Sequence, residues 1–237
     1  MPDSLINKDD GRRFWHSQAP DDNAMIGGSA TFPNLSQVDL DGSRNFLVKV
    51  GIGKGLRIVR CVLEGGAGYG TSFLTAPQQQ QQIGRFTRGV LLDVTDQVDV
   101  IEPIEKFTER LKGVSGIRNI SNLGLEEWEP FGAAEYDLIW NQGCICHLSD
   151  AQVVQYLEKC KSALRSKDGL VIVKENLSIR GADVFDSRDS TVLREDRKFL
   201  SLFQQAGLRL VKAEFQRGLP ATFLPVKMYA LAQREED

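Results

Sequence analysis

The run Val62-Leu63-Glu64-Gly65-Gly66-Ala67-Gly68 constrains this chain more than any other. It reads as an apolar strand ending in an acid, followed by a glycine-rich turn. Gly66 and Gly68 permit positive φ and leave no Cβ in the path of a ligand. A turn of this kind, leading from a strand into a helix, lets a nucleotide-like ligand lie on bare backbone at the carboxyl end of a parallel sheet. Strand–Gly-x-Gly also occurs as a plain structural turn. The ligand reading therefore depends on what the rest of the chain supplies.

At 237 residues the chain fits one α/β domain with an N-terminal extension. A hydrophobic fraction of 41% supports a sizeable core, and a net charge of −3 offers no basic footprint for nucleic acid or an anionic membrane. No run approaches the roughly 18 apolar residues of a membrane span. Met1-Pro2-Asp3-Ser4 opens neither an apolar signal core nor an Arg-rich transit pattern. Cys61, Cys144, Cys146 and Cys160 lack the layout of a disulfide scaffold, so reduced thiols are expected, in cytosol or nucleus.

Taken in order, residues up to about 36 mix polar positions with Phe14, Trp15, Met25 and Ile26 and a Gly27-Gly28 pair, a segment that packs over something. Phe14 and Trp15 read equally as a hydrophobic anchor or as substrate contacts. Residues 37–50 have helical apolar spacing weakened by Gly42, and residues 56–63 read as the first strand. Residues 98–103 read as a second strand ending in Glu102, placed to accept hydrogen bonds from ribose hydroxyls. A helix is expected over 104–111, a short strand over 117–121 and a buried strand over 136–140. Ser149 and Gln152 form a capping box for a helix that stops at Gly169. A strand over 170–173, a helix opened by Asp189 or Ser190, and two closing strands over 208–215 and 226–232 complete the pattern. Strands alternating with helices, then a β-rich end, predict a doubly wound, mostly parallel α/β sheet with a C-terminal antiparallel hairpin.

Residues 69–82 break that pattern with Pro77 and five successive glutamines, a low-complexity insert with no core to join. Without it, Gly66-Ala67-Gly68 would run directly into Ile83-Gly84-Arg85, and Glu102 would fall about 20 residues beyond Gly84, the interval expected for a ribose-binding acid. The insert is read as foreign to the fold, a retained intron in the coding sequence.

Several separated segments together resemble the protein N-terminal α-amine methyltransferases, Rossmann-like class I enzymes that methylate proteins beginning X-Pro-Lys after Met removal. These are Met25-Ile26-Gly27-Gly28, Gly66-Ala67-Gly68 with Ile83-Gly84-Arg85, residues 98–103, Asp137 through Gln142, His147-Leu148-Ser149-Asp150, Lys174-Glu175-Asn176, and Asp186 through Ser190. The resemblance runs from about Trp15 to the C-terminus, the insert apart. It implies S-adenosylmethionine as cofactor, held by Gly66, Gly68, Arg85, Glu102, Leu125, Glu126 and Gln142. In that scheme Arg85 pairs with the methionyl carboxylate, Glu102 holds the ribose, and Leu125 and Glu126 lie at the adenine. Asp189, His147 and Asn176 are the implied catalytic group, with Phe14, Trp15, Gly27, Asp186 and Ser190 on the substrate side and no metal. Residues 1–55 would then cover the substrate channel of a methyltransferase domain spanning 56–237, with 69–82 its insert. Partners would be N-terminal X-Pro-Lys peptides such as those of ribosomal proteins, with neither nucleic acid nor membrane, in the cytoplasm and also the nucleus.

An α-amine titrates near pH 7.7–8, so at neutral pH much of it is charged and has no lone pair to attack a methyl group. Asp189 or His147, or both, would take the proton; His147 beside a helix start also reads as an ordinary structural residue. Gly143 stands where the family usually carries a Trp against the substrate's first residues, which implies weaker or altered binding. Two other functions fit the same features: a small-molecule methyltransferase of this fold, and an inactive relative that binds a partner. Cys144-x-Cys146-His147 lacks common zinc spacing and a second ligand cluster.

Overall fold

The computed structural model describes residues 1–19, 32, 34–57, 59–68, 84–130 and 135–234. Gly27, Gly28 and the 69–82 insert lie outside the described residues. Seven strands form one sheet: β1 (Val62–Gly65), β2 (Val98–Ile101), β3 (Ile117–Ser121), β4 (Leu138–Gln142), β5 (Leu170–Asn176), β8 (Leu208–Phe215) and β9 (Val226–Gln233). A separate small hairpin holds β6 (Val184–Asp186) and β7 (Thr191–Leu193). The large sheet is ordered β3-β2-β1-β4-β5-β9-β8; its first five strands pair in parallel and β9 pairs antiparallel with β5 and β8. The doubly wound sheet with a closing antiparallel hairpin is as expected.

Alternation along each strand builds a core on both faces. Leu63, Ile139, Val171, Val173, Tyr229 and Leu231 join one buried cluster, while Val62, Leu138, Trp140, Leu170, Ile172 and Ala230 join the other. The first face is covered by α3 (Asp150–Ala163) and α4 (Asp196–Gln205) through Val153, Leu157, Phe199 and Phe203. The second is covered by α2 (Leu35–Lys49) through Leu40, Phe46 and Leu47, with Phe86, Val90 and Leu91 beside it. Helix α3 starts with the expected capping box, both reciprocal bonds present. Gly42, which weakened the α2 pattern, is where a Cβ would strike the Gln216 side chain. Its helix-propensity cost of about 1 kcal/mol is exchanged for that close approach.

Four expectations need correction. The first strand begins at Val62, not at residue 56, because Arg57 turns back to bridge Ile52. Phe86, Val90 and Leu91 have the apolar spacing of a helix after Gly84, but most of it is a π-type turn over Thr87–Leu91, with Leu92 N–H reaching back to Thr87 O. Residues 104–111 form two 3₁₀ turns, Glu105–Phe107 and Glu109–Leu111. Asp189 and Ser190 do not open a helix: they form the turn between β6 and β7, with Ser190 at φ 58°, and α4 starts only after Glu195. The β-branched pair Thr191-Val192 takes the strand, and Arg194 pins its far end to Asp150 and to the Leu148 carbonyl.

Candidate active site

The strand order reverses between β1 and β4, whose carboxyl ends lie side by side with Gly65 opposite Asn141. Turns leaving these two strands diverge, and such a switch point leaves a crevice. A cleft of about 790 Å³, counting its open mouth, occupies it. Gly66 and Gly68 line it after β1, Glu102 and Phe107 after β2, Leu125 and Glu126 after β3, and Gly143 and His147 after β4. Four strand ends thus each deliver part of the lining.

Helix α1 (Lys8–Ser17) closes the cleft with Lys8, Gly11, Arg12 and Trp15, positions spaced to share one helical face. Polar ties hold it there. Asn7 caps its start by accepting from the Asp9 and Asp10 amides and donates its own amide to Ser190 Oγ at 2.8 Å. Lys106 Nζ donates to the His16 and Gln18 carbonyls at its end, and Arg12 pairs with Glu126 at 3.2 Å and with Glu127. Trp15 Nε1–H donates to His147 Nε2 at 3.1 Å. An indole nitrogen only donates, so His147 carries its proton on Nδ1. Burial pulls the imidazole down to about 4, which keeps it neutral at physiological pH.

Gly11 is the contact point of α1. A Cβ there would sit 3.1 Å from the Asp189 carbonyl oxygen and 3.3 Å from His147 Nδ1. Asp189 itself is half-buried; Oδ1 accepts from Thr191 Oγ1 at 2.7 Å, and burial raises its carboxyl above the ordinary value. The glycine turn is equally tight. Gly66 adopts φ 76°, and a Cβ on it would lie 2.6 Å from Cys144 Cβ. On Gly68 it would lie 2.6 Å from Glu102 Oε2 and 2.8 Å from Phe107. Glu102 accepts from the Gly68 and Ile104 amides at 2.8 and 2.9 Å.

Burial pushes Glu102 up to about 7 despite those two donors. A carboxyl whose folded pKa lies above its unfolded value near 4.5 holds its proton more tightly when folded. Its contribution to stability is greatest at low pH and is lost as pH rises from about 4.5 through about 7. Glu102→Gln is therefore expected to remove roughly 2 kcal/mol of the stability loss between pH 5 and pH 8. Urea midpoints of both proteins at the two pH values measure it, and parallel pH dependences would contradict it.

Of the residues singled out in the sequence, Trp15, Gly66, Gly68, Glu102, Leu125, Glu126, His147 and Ser190 line the cleft. Asp189 abuts α1 beside it, and Phe14 packs edge-on against Trp15 with ring centroids 5.2 Å apart. Arg85 and Gln142 are not among the residues lining the cleft: both are buried and bonded to Asp39 of α2, Arg85 Nη2 at 2.6 Å and Gln142 Nε2 at 3.1 Å. Asn176 ends β5 opposite Val226 and is not among the residues lining the cleft. Asp186 lies opposite Thr191 in the hairpin and is engaged by Arg188 at 2.7 Å. Lys8, Gly11 and Arg12 were not anticipated. Their spacing with Trp15 was the available signal, but Lys and Arg on a polar helix read as solvated. Glu175 was also missed as a site support: it is buried and accepts from the Cys144 and Ile145 amides at 2.9 and 2.8 Å, shaping the loop that carries His147.

Comparison with known proteins agrees with this geometry. Residues 3–232 match the family described as AdoMet (S-adenosylmethionine) dependent proline di-methyltransferase. The chain is 38% identical over 222 residues to alpha N-terminal protein methyltransferase 1 of Schizosaccharomyces pombe, covering 92% of each. It is 30% identical over 226 residues to human N-terminal Xaa-Pro-Lys N-methyltransferase 1, covering 93% of this chain and 92% of that one. A solved SAM-dependent methyltransferase from Leishmania major superposes with a TM-score of 0.77 at 27% identity, over 94% of this chain and 82% of that one. A glycine turn with no room for a Cβ, a buried carboxylate at the end of β2 and a match running nearly end to end lead to one conclusion: the chain is an S-adenosylmethionine-dependent methyltransferase and belongs to the proline di-methyltransferase family.

Proposed function

We propose that this enzyme methylates the α-amino group of proteins that begin X-Pro-Lys once Met has been removed. The observation that carries the reading is that one cleft is lined together by the glycine turn, Glu102, His147, Ser190 and Trp15 of the helix that covers it. Similar proteins are named for methylation of protein N-termini, and two of them for Xaa-Pro-Lys in particular.

Bound S-adenosylmethionine supplies an electrophilic methyl group, which an amine accepts only through a free lone pair. Gly66 and Gly68 leave bare backbone for the cofactor, Glu102 accepts from its ribose, and Leu125 with Glu126 borders its adenine. Arg85 and Gln142 serve its carboxylate end. Arg85 Nε, buried without a hydrogen-bond partner among the described residues, fits that role. On the substrate side Asp189 takes the proton of the incoming ammonium, an assignment supported by a carboxyl raised toward the range of its target. His147, neutral and with its acceptor nitrogen engaged by Trp15, holds the covering helix over the site of the amine. Asn176, Asp186, Ser190 and Phe14 border the path of the peptide. Residues 1–55 act as the cover of the channel and 56–237 as the methyltransferase domain. Ribosomal proteins with X-Pro-Lys starts are suitable substrates, met in the cytoplasm and nucleus. Among the described residues no helix is long and apolar enough to cross a membrane.

Three peptides test this: Ser-Pro-Lys at the free terminus, the same sequence N-acetylated, and Ser-Pro-Glu. Methylation of the first alone is expected. Equal methylation of the acetylated peptide would move the reaction to a side chain and contradict the reading.

A further inference from the structure

Helix α2 carries a carboxylate on which two buried cations converge, one from the sheet and one from the helical turn after Gly84. Asp39, 8% exposed, receives Lys174 Nζ of β5 at 2.5 Å, Arg85 Nη2 at 2.6 Å and Gln142 Nε2 of β4 at 3.1 Å. Lys174 also donates to Ser43 at 2.8 Å and to Gln216 at 3.0 Å, and Arg85 Nη1 to the Ser36 carbonyl at 2.8 Å. Burial alone would raise the Asp39 carboxyl, yet Lys174 and Arg85 hold it at about 2. Two buried cations thus share one directly bonded carboxylate. Glu64, the other carboxylate close to Arg85, is engaged by Thr87 Oγ1, and burial pushes it up to about 7. Arg85 Nε, with no partner among the described residues, is the donor left over.

A guanidinium presents its donors in a rigid fork, so fixing one edge aims the other. Gln142 also accepts from Trp140 Nε1, leaving its amide locked on Asp39. The backbone carbonyl of Gln142 sits 3.3 Å from where a Gly66 Cβ would be, so the residue that carries one spoke of this network through its side chain abuts the glycine turn through its main chain. We infer that Asp39 is a positioning residue for the carboxylate end of S-adenosylmethionine: it holds Arg85 and Gln142 in place from a helix outside the sheet, and the cofactor's carboxylate answers the cation that Asp39 leaves in excess. This rests on the proposed role of Arg85.

The test compares two ligands that differ in the group concerned, S-adenosylhomocysteine and 5′-methylthioadenosine, which lacks the amino-acid portion. Asp39→Asn is expected to weaken S-adenosylhomocysteine about 10–100-fold, the equivalent of one charged hydrogen bond, and to leave 5′-methylthioadenosine unchanged. In turnover the same variant raises KM for S-adenosylmethionine with a smaller change in kcat. Equal loss for both ligands, no loss, or tighter binding would overturn the proposal. Arg85→Ala separates the two layers. A selective loss there without one in Asp39→Asn overturns Asp39 alone; no selective loss in Arg85→Ala overturns the role of Arg85 and the proposal with it. Should Asp39→Asn not fold, the wild-type guanidinium NMR signals decide. Arg85 Nε–H is expected to shift with S-adenosylhomocysteine but not with 5′-methylthioadenosine, while Nη rotation stays restrained. Release of that rotation on binding would show that Asp39 lets go, and would overturn the proposal.

Discussion

Asp189→Asn is expected to keep S-adenosylmethionine affinity and to lose methyl transfer, with kcat at pH 7 falling about 10²–10⁴-fold. The reason is the nucleophile. An α-amine near pKa 8 must shed a proton before it has a lone pair, and an amide in place of the carboxylate cannot take it. Asp189 is suited to the task because burial has raised its carboxyl, narrowing the gap to the amine, while Thr191 keeps one oxygen fixed. Raising the pH from 7 to 9 should restore part of the lost rate, since solvent then deprotonates the amine unaided. His147 has the weaker claim, with its free lone pair engaged by Trp15 and its imidazole held near pKa 4 by burial. Full activity in Asp189→Asn together with loss in His147→Gln would reverse the assignment.

The second large effect lies at the glycine turn. Gly66→Ala meets two separate penalties: φ 76°, which a side chain tolerates poorly, and a Cβ placed 2.6 Å from that of Cys144. Backbone strain of this kind costs about 1–3 kcal/mol, and crowding in a packed site adds about 1–3 more. The turn can relieve the contact only by moving, and its backbone is the surface proposed to face the cofactor. Cofactor affinity is therefore expected to fall more than tenfold along with stability. Gly113→Ala is the control, since Gly113 has the same φ of 76° and nothing within 4 Å of its would-be Cβ. It should show strain alone, with cofactor affinity intact. Thermal unfolding and calorimetry with S-adenosylhomocysteine measure both variants, and equal behaviour of the two would contradict the crowding argument.

The centre of the sheet was legible because β1, β2, β4 and β5 are buried on both faces and read as apolar runs. Strand β8 appears where the pattern placed it, and β4 and β9 within two residues. Helix α3 was legible from its capping box. What failed was local. Residues 104–111 have helical spacing but are too few and too constrained by Glu102, whose side chain takes the Ile104 amide, so they settle as two short turns. Asp189-Ser190 resembles a helix start, yet the β-branched residues that follow pair with β6. At the site, residues next to a strand end were visible one motif at a time. The Asp39 network was not, because positions 39, 85, 142, 174 and 216 converge only in three dimensions. Arg85 and Gln142 were visible as two separate motif positions; that both are bonded to one buried carboxylate was not.

The most direct test of the central claim is tandem mass spectrometry of a Ser-Pro-Lys peptide incubated with this enzyme and S-adenosylmethionine. A parallel reaction uses a chain lacking residues 69–82. Methyl groups confined to the N-terminal nitrogen, in one or both reactions, are the predicted result. Methylation only by the shortened chain would locate an obstruction in that segment and leave the assignment of activity standing. Methyl groups on the lysine side chain, or none with either chain while S-adenosylhomocysteine still binds, would contradict it.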